Sequence, residues 1–221
     1  MTDFADARTK MVDNQLRTGG ITDLRILTIM GHVPRERFVP AERQALSYID
    51  EAHLLPSADG RAHYLGAPVP FARLVQLAEV RDEDKVLDVG CGTGYSAAVL
   101  AELADTVVAT ESEPSLAAEA RTQLGALGLA NVTVVDAAPE AGANAHGPFD
   151  VIVLEGAVNE VPQALLDQLA DGGRLVALVR RDAAAAAHIY VRSGNDVAGR
   201  PAFNATLPPL ATAPRPSEFV F

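Results

Sequence analysis

From Lys85 onward, the chain alternates between short apolar runs and longer segments whose hydrophobic residues follow helical spacing. The apolar runs are KVLDVG, TVVATE, NVTVVD, FDVIVLEG and GRLVALV, and the helical segments are residues 95–104, 115–127 and 161–169. Continuous apolar strands separated by helices are typical of βαβ units, in which both faces of a parallel sheet are covered. We therefore predict an α/β fold with a doubly wound, mostly parallel sheet.

The regions on either side of this alternation have other patterns. Residues 3–47 show loose helical spacing broken by Gly19-Gly20, Pro34 and Pro40, which predicts an N-terminal helical extension. Residues 50–70 show no period, as in a lid or binding loop, and residues 71–79 form an amphipathic helix. In the tail, AHIYVRS and SEFVF are predicted to add strands to the sheet edge, with the alanine run 183–187 as a turn or short helix.

These boundaries predict two regions within one compact unit. Residues 1–80 would form the helical cap with the substrate or lid segment, and residues 81–221 the ligand-binding domain. The formal net charge of −11 disfavours a nucleic-acid partner, because phosphates would be repelled. A polar N-terminus, one cysteine and no long apolar stretch lead us to expect a cytoplasmic protein with no membrane partner.

The candidate chemistry begins at the glycine-rich stretch VLDVGCGTGYSAAVL, residues 86–100, where a strand turns into a helix. Gly90, Gly92 and Gly94 lie where open α/β sheets bind ligands. Tyr95 stands where the dinucleotide fingerprint has its third glycine, and Asp88 places a negative charge where a diphosphate would be unwelcome. A cationic cofactor such as S-adenosyl-L-methionine suits this loop better. A glycine turn without any ligand is the alternative.

Acidic residues at the ends of the following strands favour the same cofactor. Glu111 is placed to accept the ribose hydroxyls, Asp136 and Ala137 to flank an adenine, and Glu155 ends the fourth strand. The absence of lysine and arginine from these positions disfavours ATP, NAD and FAD. The predicted cofactor-binding residues are Asp88, Gly90, Cys91, Gly92, Thr93, Gly94, Tyr95, Glu111, Ser112, Asp136, Ala137 and Glu155. The five histidines show no ligand spacing, so no metal site is predicted.

Several motifs occur in the order found in one methyltransferase family. MVDNQLRTGGITD, VPRERFVP and YIDEAHLLP precede the glycine loop, and NVTVVDAAPEAG, PFDVIVLEGA and LLDQLADGGRLV follow it. From Met11 to Val179 the chain resembles the protein-L-isoaspartate O-methyltransferases. The resemblance implies a Rossmann-like fold and methyl transfer from S-adenosyl-L-methionine to the carboxylate of an isoaspartyl residue, which begins protein repair.

The chain departs from that family just before the helix at residues 71–79. The family has a Thr-Ile-Ser segment two residues ahead of a proline, with the serine at the methyl-transfer site. Here the run is HYLGAP, so Tyr64 and Gly66 take the threonine and serine positions as candidate catalytic residues, and His63 is a candidate for substrate contact. Three functions stay open. They are methylation of an isoaspartyl carboxylate in a peptide or protein, methylation of another peptide or a small molecule, and cofactor binding without catalysis.

Overall fold

The structure, a computed structural model, describes residues 3–181 and 184–210, the side chains of residues 181 and 184 excepted. Six α-helices lie within these ranges: α1 Phe4–Met11, α2 Leu24–Met30, α3 Pro68–Ala78, α4 Tyr95–Ala101, α5 Pro114–Ala126 and α6 Gln163–Leu166. The strands are β1 His53–Leu55, β2 His63–Leu65, β3 Lys85–Val89, β4 Thr106–Glu111, β5 Val132–Asp136, β6 Phe149–Val158, β7 Leu169–Arg181, β8 Ala184–Ser193 and β9 Asp196–Asn204. No helix in the described ranges is both long and apolar enough to cross a membrane.

The main sheet has the strand order β5-β4-β3-β6-β7-β8-β9. The pairs from β5 to β7 are parallel, and β8 and β9 add antiparallel strands at one edge. The chain runs outward from β3 to β5 and then returns to β6 on the other side of β3. This reversal confirms the predicted doubly wound, mostly parallel sheet, and it opens a crevice between β3 and β6 at their carboxyl ends.

The C-terminal addition forms from other residues than expected. Residues 184–187 begin β8 and pair with β7, so the predicted turn or short helix is wrong at these alanines. Ala187 is fully buried in the sheet, and this tertiary pairing outweighs the low strand propensity of alanine. The partner strand of β8 is residues 196–204. The predicted strand at residues 217–221 lies outside the described residues. Helix α6 is also shorter than predicted, because Leu169 already belongs to β7.

The predicted N-terminal helical extension is confirmed. Helix α1 continues as a π-helical turn at Val12–Leu16, and short 3₁₀ turns at Arg35–Arg37 and Ala41–Leu46 follow α2. Asp3 and Asp23 cap α1 and α2 by accepting backbone N–H groups in the first turn. Buried side chains of this extension share one apolar cluster with β3, β4 and α4. The extension is therefore fixed against the sheet by a common core.

Residues 50–70, predicted as an aperiodic lid, contain a short hairpin. Strands β1 and β2 pair antiparallel, with His53 opposite Leu65 and Leu55 opposite His63. All four of these side chains are buried. The hairpin lies against the glycine loop, since a Cβ on Gly92 would be 2.8 Å from Cδ1 of Leu55.

Candidate active site: a crevice at the carboxyl ends of β3, β4 and β6

The loop between β3 and α4 depends on its three glycines. Gly90, Gly92 and Gly94 have φ angles of +83°, +55° and +98°, a region that other residues rarely adopt. The amide of Gly90 donates to the carbonyl of Thr110 at 2.9 Å, which attaches the loop to β4. A Cβ on Gly94 would lie 3.2 Å from Cβ of Ala120 in α5. The glycines thus permit both the turn and its close packing.

The carboxylate of Glu111 is held by backbone amides at the end of β4. Its Oε2 accepts a hydrogen bond from the amide of Gly92 at 2.9 Å, and its Oε1 accepts from the amides of Ser112 and Glu113 at 2.7 and 2.9 Å. The side chain is 3% exposed. Because three N–H groups orient it, the predicted ribose-binding carboxylate is fixed at the edge of the glycine loop.

A second acidic pair lies at the ends of the two central strands. Asp88 of β3 is fully buried, and its Oδ2 accepts a hydrogen bond from Oγ of Ser96 at 2.7 Å. Burial raises the pKa of Asp88 to about 7, and burial and the nearby Asp88 raise the pKa of Glu155 in β6 well above its ordinary value. Both effects favour the protonated form of this pair.

Glu111 and Glu155 both line a crevice above the glycine loop, and Asp88 lies buried beside it. It is lined by His63, Tyr64, Gly90, Gly92, Glu111, Ser112, Pro139, Glu155, Pro208, Pro209 and Leu210. None of the described residues that line it is a lysine or arginine. An acidic crevice over a glycine loop suits the ammonium and sulfonium groups of S-adenosyl-L-methionine.

The structure distributes the predicted residues between the crevice wall and its support. Tyr64, Gly90, Gly92, Glu111, Ser112 and Glu155 line the crevice. Thr93 donates to the carbonyl of Phe38 at 2.6 Å, and the ring of Tyr95 packs against Phe38 and Phe71, so both side chains support the loop from behind. Burial raises the pKa of the Cys91 thiol well above its ordinary value, which leaves it a neutral packing group.

Three other predicted residues, Asp136, Ala137 and Gly66, are not among the described residues that line the crevice. The Asp136 carboxylate accepts a hydrogen bond from Nη2 of Arg121 at 2.9 Å on the protein surface. The amide of Ala137 donates to the carbonyl of Glu111 at 3.0 Å. Gly66 follows β2, and its carbonyl accepts a hydrogen bond of 2.6 Å from Nη2 of Arg35. Arg35 is itself fully buried and stacks over the ring of Tyr95.

Sequence reasoning missed the wall formed by Pro139 and by the chain after β9. The amide of Ala157 donates to the carbonyl of Pro208 at 2.8 Å, and the amide of Leu210 donates to the carbonyl of Ala157 at 2.9 Å. A Cβ on Gly90 would lie 2.5 Å from Cδ1 of Leu210. The Pro-Pro-Leu stretch has no strand or helix periodicity, so no pattern indicated that it returns to the central strands.

The doubly wound sheet and its acidic glycine-loop crevice define an S-adenosyl-L-methionine-dependent methyltransferase of the Rossmann-like class. Residues 6–207 match the family model described as Protein-L-isoaspartate(D-aspartate) O-methyltransferase. The chain belongs to the protein-L-isoaspartate O-methyltransferase family.

Relatives of that name agree with this assignment. The protein-L-isoaspartate O-methyltransferase of Koribacter versatilis is 43% identical over 176 residues, which are 80% of this chain and 78% of that protein. The protein-L-isoaspartate O-methyltransferase 1 of Syntrophobacter fumaroxidans is 40% identical over 194 residues, or 88% of each chain. The match to the family model, residues 6–207, includes both the extension and the sheet.

Two solved structures have the same fold. A protein-L-isoaspartate O-methyltransferase superposes with a TM-score of 0.79 at 24% identity, over 91% of this chain and 65% of its own length. A beta-aspartate methyltransferase from Plasmodium falciparum, in complex with S-adenosyl-L-homocysteine, has a TM-score of 0.76 at 21% identity and covers 92% of this chain and 97% of its own. The fold therefore extends beyond the sheet to nearly the whole chain.

Proposed function

We propose that this protein transfers the methyl group of S-adenosyl-L-methionine to the carboxylate of an isoaspartyl residue in a peptide or protein, the first step of repair. The supporting observation is that the family match, residues 6–207, includes the hairpin, the glycine loop and the strand ends that line the crevice. We further propose a cytoplasmic location and no nucleic-acid or membrane partner, in keeping with the net charge of −11 and the single cysteine.

The residues present fit the cofactor. The glycine loop would accept it without side-chain interference, Glu111 would bind its ribose, and Asp88 would face its cationic end. Ser112, Ala137 and Pro139 lie on the side of the crevice where the adenine is expected. When bound, the cofactor supplies an activated methyl group on a sulfonium. We also propose that residues 1–80 act as cap and lid segment, and residues 81–221 as the cofactor-binding domain.

A carboxylate acceptor requires little further chemistry from the chain. It is ionised at pH 7, so the attacking oxygen needs no general base. Alignment of that oxygen and exclusion of water would supply the rate. The hairpin and the Pro208–Leu210 segment are placed to exclude water, since both line the crevice. The hydrogen bond from Arg35 to the Gly66 carbonyl holds the segment that follows the hairpin in one position.

The test is transfer of labelled methyl groups to a peptide that contains one isoaspartyl residue. The matched control is the same peptide with an ordinary aspartyl residue at that position. We expect base-labile labelling of the isoaspartyl peptide and background labelling of the control. Labelling of a small-molecule extract but of neither peptide would favour a different acceptor. Binding of S-adenosyl-L-homocysteine without transfer to any acceptor would indicate a non-catalytic binding protein.

A further inference from the structure

The crevice that would receive an anionic acceptor is itself lined with carboxyl groups. Glu111 and Glu155 both belong to its wall, and the described residues of that wall include no lysine or arginine. Asp88 adds a third carboxyl next to Glu155. Ionised carboxyls in close proximity repel one another and any further carboxylate. A neutral neighbouring carboxyl that donates a hydrogen bond would turn this repulsion into attraction for an acceptor carboxylate.

The Asp88–Glu155 pair has the arrangement that such a neutral carboxyl requires. Oδ1 of Asp88 and Oε1 of Glu155 are buried, and neither has a hydrogen-bond partner. Buried polar atoms are rarely left unpaired, and one proton on this pair lowers that cost. The Ser96 hydroxyl donates to Oδ2 of Asp88, which favours the ionised form of Asp88. The proton of the pair therefore resides on Glu155, the member that lines the crevice.

Other groups around the pair raise or lower the pKa values of Asp88 and Glu155. Burial first, and then the charge of Asp88 and a hydrogen bond to it, raises the pKa of Glu155, while the buried guanidinium of Arg35 acts in the opposite direction. The charge of Glu111 in β4 raises the pKa of Asp88. From β2, His63 and Tyr64 face the same crevice. Burial and the neighbouring Asp88 outweigh Arg35, so the pKa of Glu155 stays raised.

We propose that Glu155 is a catalytic residue whose neutral carboxyl, once the acceptor is bound, turns its O–H from Asp88 to one oxygen of the acceptor carboxylate. The other oxygen then attacks the methyl carbon. A C–O bond forms, the C–S bond breaks with its electron pair going to sulfur, and the acceptor's negative charge cancels the sulfonium charge. The proton stays on Glu155 throughout. This inference rests on the proposed function and moves Glu155 from the predicted cofactor set to the acceptor.

The experiment is steady-state kinetics of methyl transfer to the isoaspartyl peptide from pH 6 to pH 9. For the wild type we expect the KM for peptide to rise about tenfold or more with pH, the size of one hydrogen bond to a charged group, with a smaller change in kcat. Glu155→Gln keeps a hydrogen-bond donor that does not titrate, so its KM for peptide stays low at every pH. Glu155→Ala has a high, flat KM. Asp171→Asn, at an exposed position of β7 where either side chain can accept from the amide of Gly194, is the matched acid-to-amide control and follows the wild type.

Three results would overturn the proposal. They are a wild-type peptide KM that does not depend on pH, a Glu155→Gln variant as impaired as Glu155→Ala, and a Glu155→Gln variant that loses cofactor affinity instead of peptide affinity. His63→Asn tests whether the titrating group is His63. Loss of the pH dependence of KM in that variant would assign the dependence to His63 instead of Glu155. If the wild type labels no isoaspartyl peptide at any pH, the proposed function fails. Infrared spectra at pH 7 then still show whether Glu155 is protonated. A protonated-carboxyl band that is present in the wild type and missing in Glu155→Gln supports a neutral Glu155, and a wild type without such a band contradicts it.

Discussion

Nδ1 of His63 lies 3.3 Å from Oε1 of Glu111, and its Nε2 lies 3.0 Å from Oδ2 of Asp59. The histidine ring therefore joins the β1–β2 hairpin to the carboxylate predicted to bind the cofactor ribose. Since the ring is buried, neither contact is readily replaced by water. The position of the hairpin and the orientation of Glu111 are coupled through this one side chain.

Replacing His63 with alanine should loosen the hairpin. Loss of both contacts leaves residues 53–65 held mainly by Leu55 and Leu65, so their amides should exchange several-fold faster in hydrogen-exchange mass spectrometry. S-adenosyl-L-homocysteine should slow exchange in the same segment of the wild type, as expected for a lid. His188→Ala, in β8, is the control. Unchanged exchange in His63→Ala would show that the histidine does not hold the hairpin.

Glu111→Ala should weaken binding of S-adenosyl-L-homocysteine by about 1.5–3 kcal/mol, the cost of losing hydrogen bonds to a charged group. The variant also frees the amides of Gly92, Ser112 and Glu113, which now all donate to the carboxylate. Titration calorimetry measures the affinity. Glu113→Ala is a demanding control, because that buried neighbour caps α5 through Ser115 without lining the crevice. Equal affinity in wild type and Glu111→Ala would refute the ribose assignment.

Gly66→Ser should raise turnover on isoaspartyl peptide, by tenfold or more if the new hydroxyl reaches the acceptor carboxylate. The backbone at Gly66 is outside the left-handed region, so a side chain brings no conformational strain. A Cβ there would lie 3.2 Å from Cδ2 of Leu207, a flexible side-chain end that can shift by a few tenths of an ångström. Gly66→Ala is the control that separates the effect of the hydroxyl from the effect of the added Cβ. Equal rates in the alanine and serine variants would mean that the hydroxyl does not act.

Gly156→Ala should displace the segment that closes the crevice. Its Cβ would lie 2.6 Å from the backbone nitrogen of Leu210 and 2.7 Å from its Cα, and backbone cannot turn aside as a side chain can. We expect a loss of roughly 1–3 kcal/mol in unfolding free energy and faster proteolysis after residue 204. Gly125→Ala in α5 meets no atom within 4 Å and should instead stabilise by up to about 1 kcal/mol. A fully stable Gly156→Ala with an intact tail would contradict the close approach.

His53 should make the protein sensitive to mild acid. The ring is fully buried, and burial together with Arg35 and Arg43 lowers its pKa from 6.5 to about 4. A depressed folded-state pKa contributes stability above the unfolded value of 6.5 that is lost as pH falls toward 4. Between pH 7 and pH 5 the loss from this group is about 2 kcal/mol. Urea unfolding at both values should show a smaller difference for His53→Gln than for wild type, whereas the partly exposed control His146→Gln should match wild type.

Much of the sheet and part of the crevice could be predicted because they follow from local patterns. Apolar runs alternating with helical segments predicted β3 to β7, and the glycine loop with its strand-end acids placed Gly90, Gly92, Glu111 and Glu155 at one edge. Contacts between segments that are distant along the chain leave no local pattern in the sequence, so they could not be predicted. The approach of Leu210 to Gly90 and the burial of residues 184–187 in β8 depend on tertiary packing, which overrides propensity.

The two hydrogen bonds that Ala157 forms with Pro208 and Leu210 also determine when the crevice can form during synthesis. Domains fold as units while the chain emerges from the ribosome. Strands β3 to β6 can assemble with their glycine loop before residue 210 exists, but the wall opposite the hairpin cannot. A chain that ends between β6 and residue 210 therefore lacks this wall of the crevice, which is completed only when residues 208–210 have been synthesised.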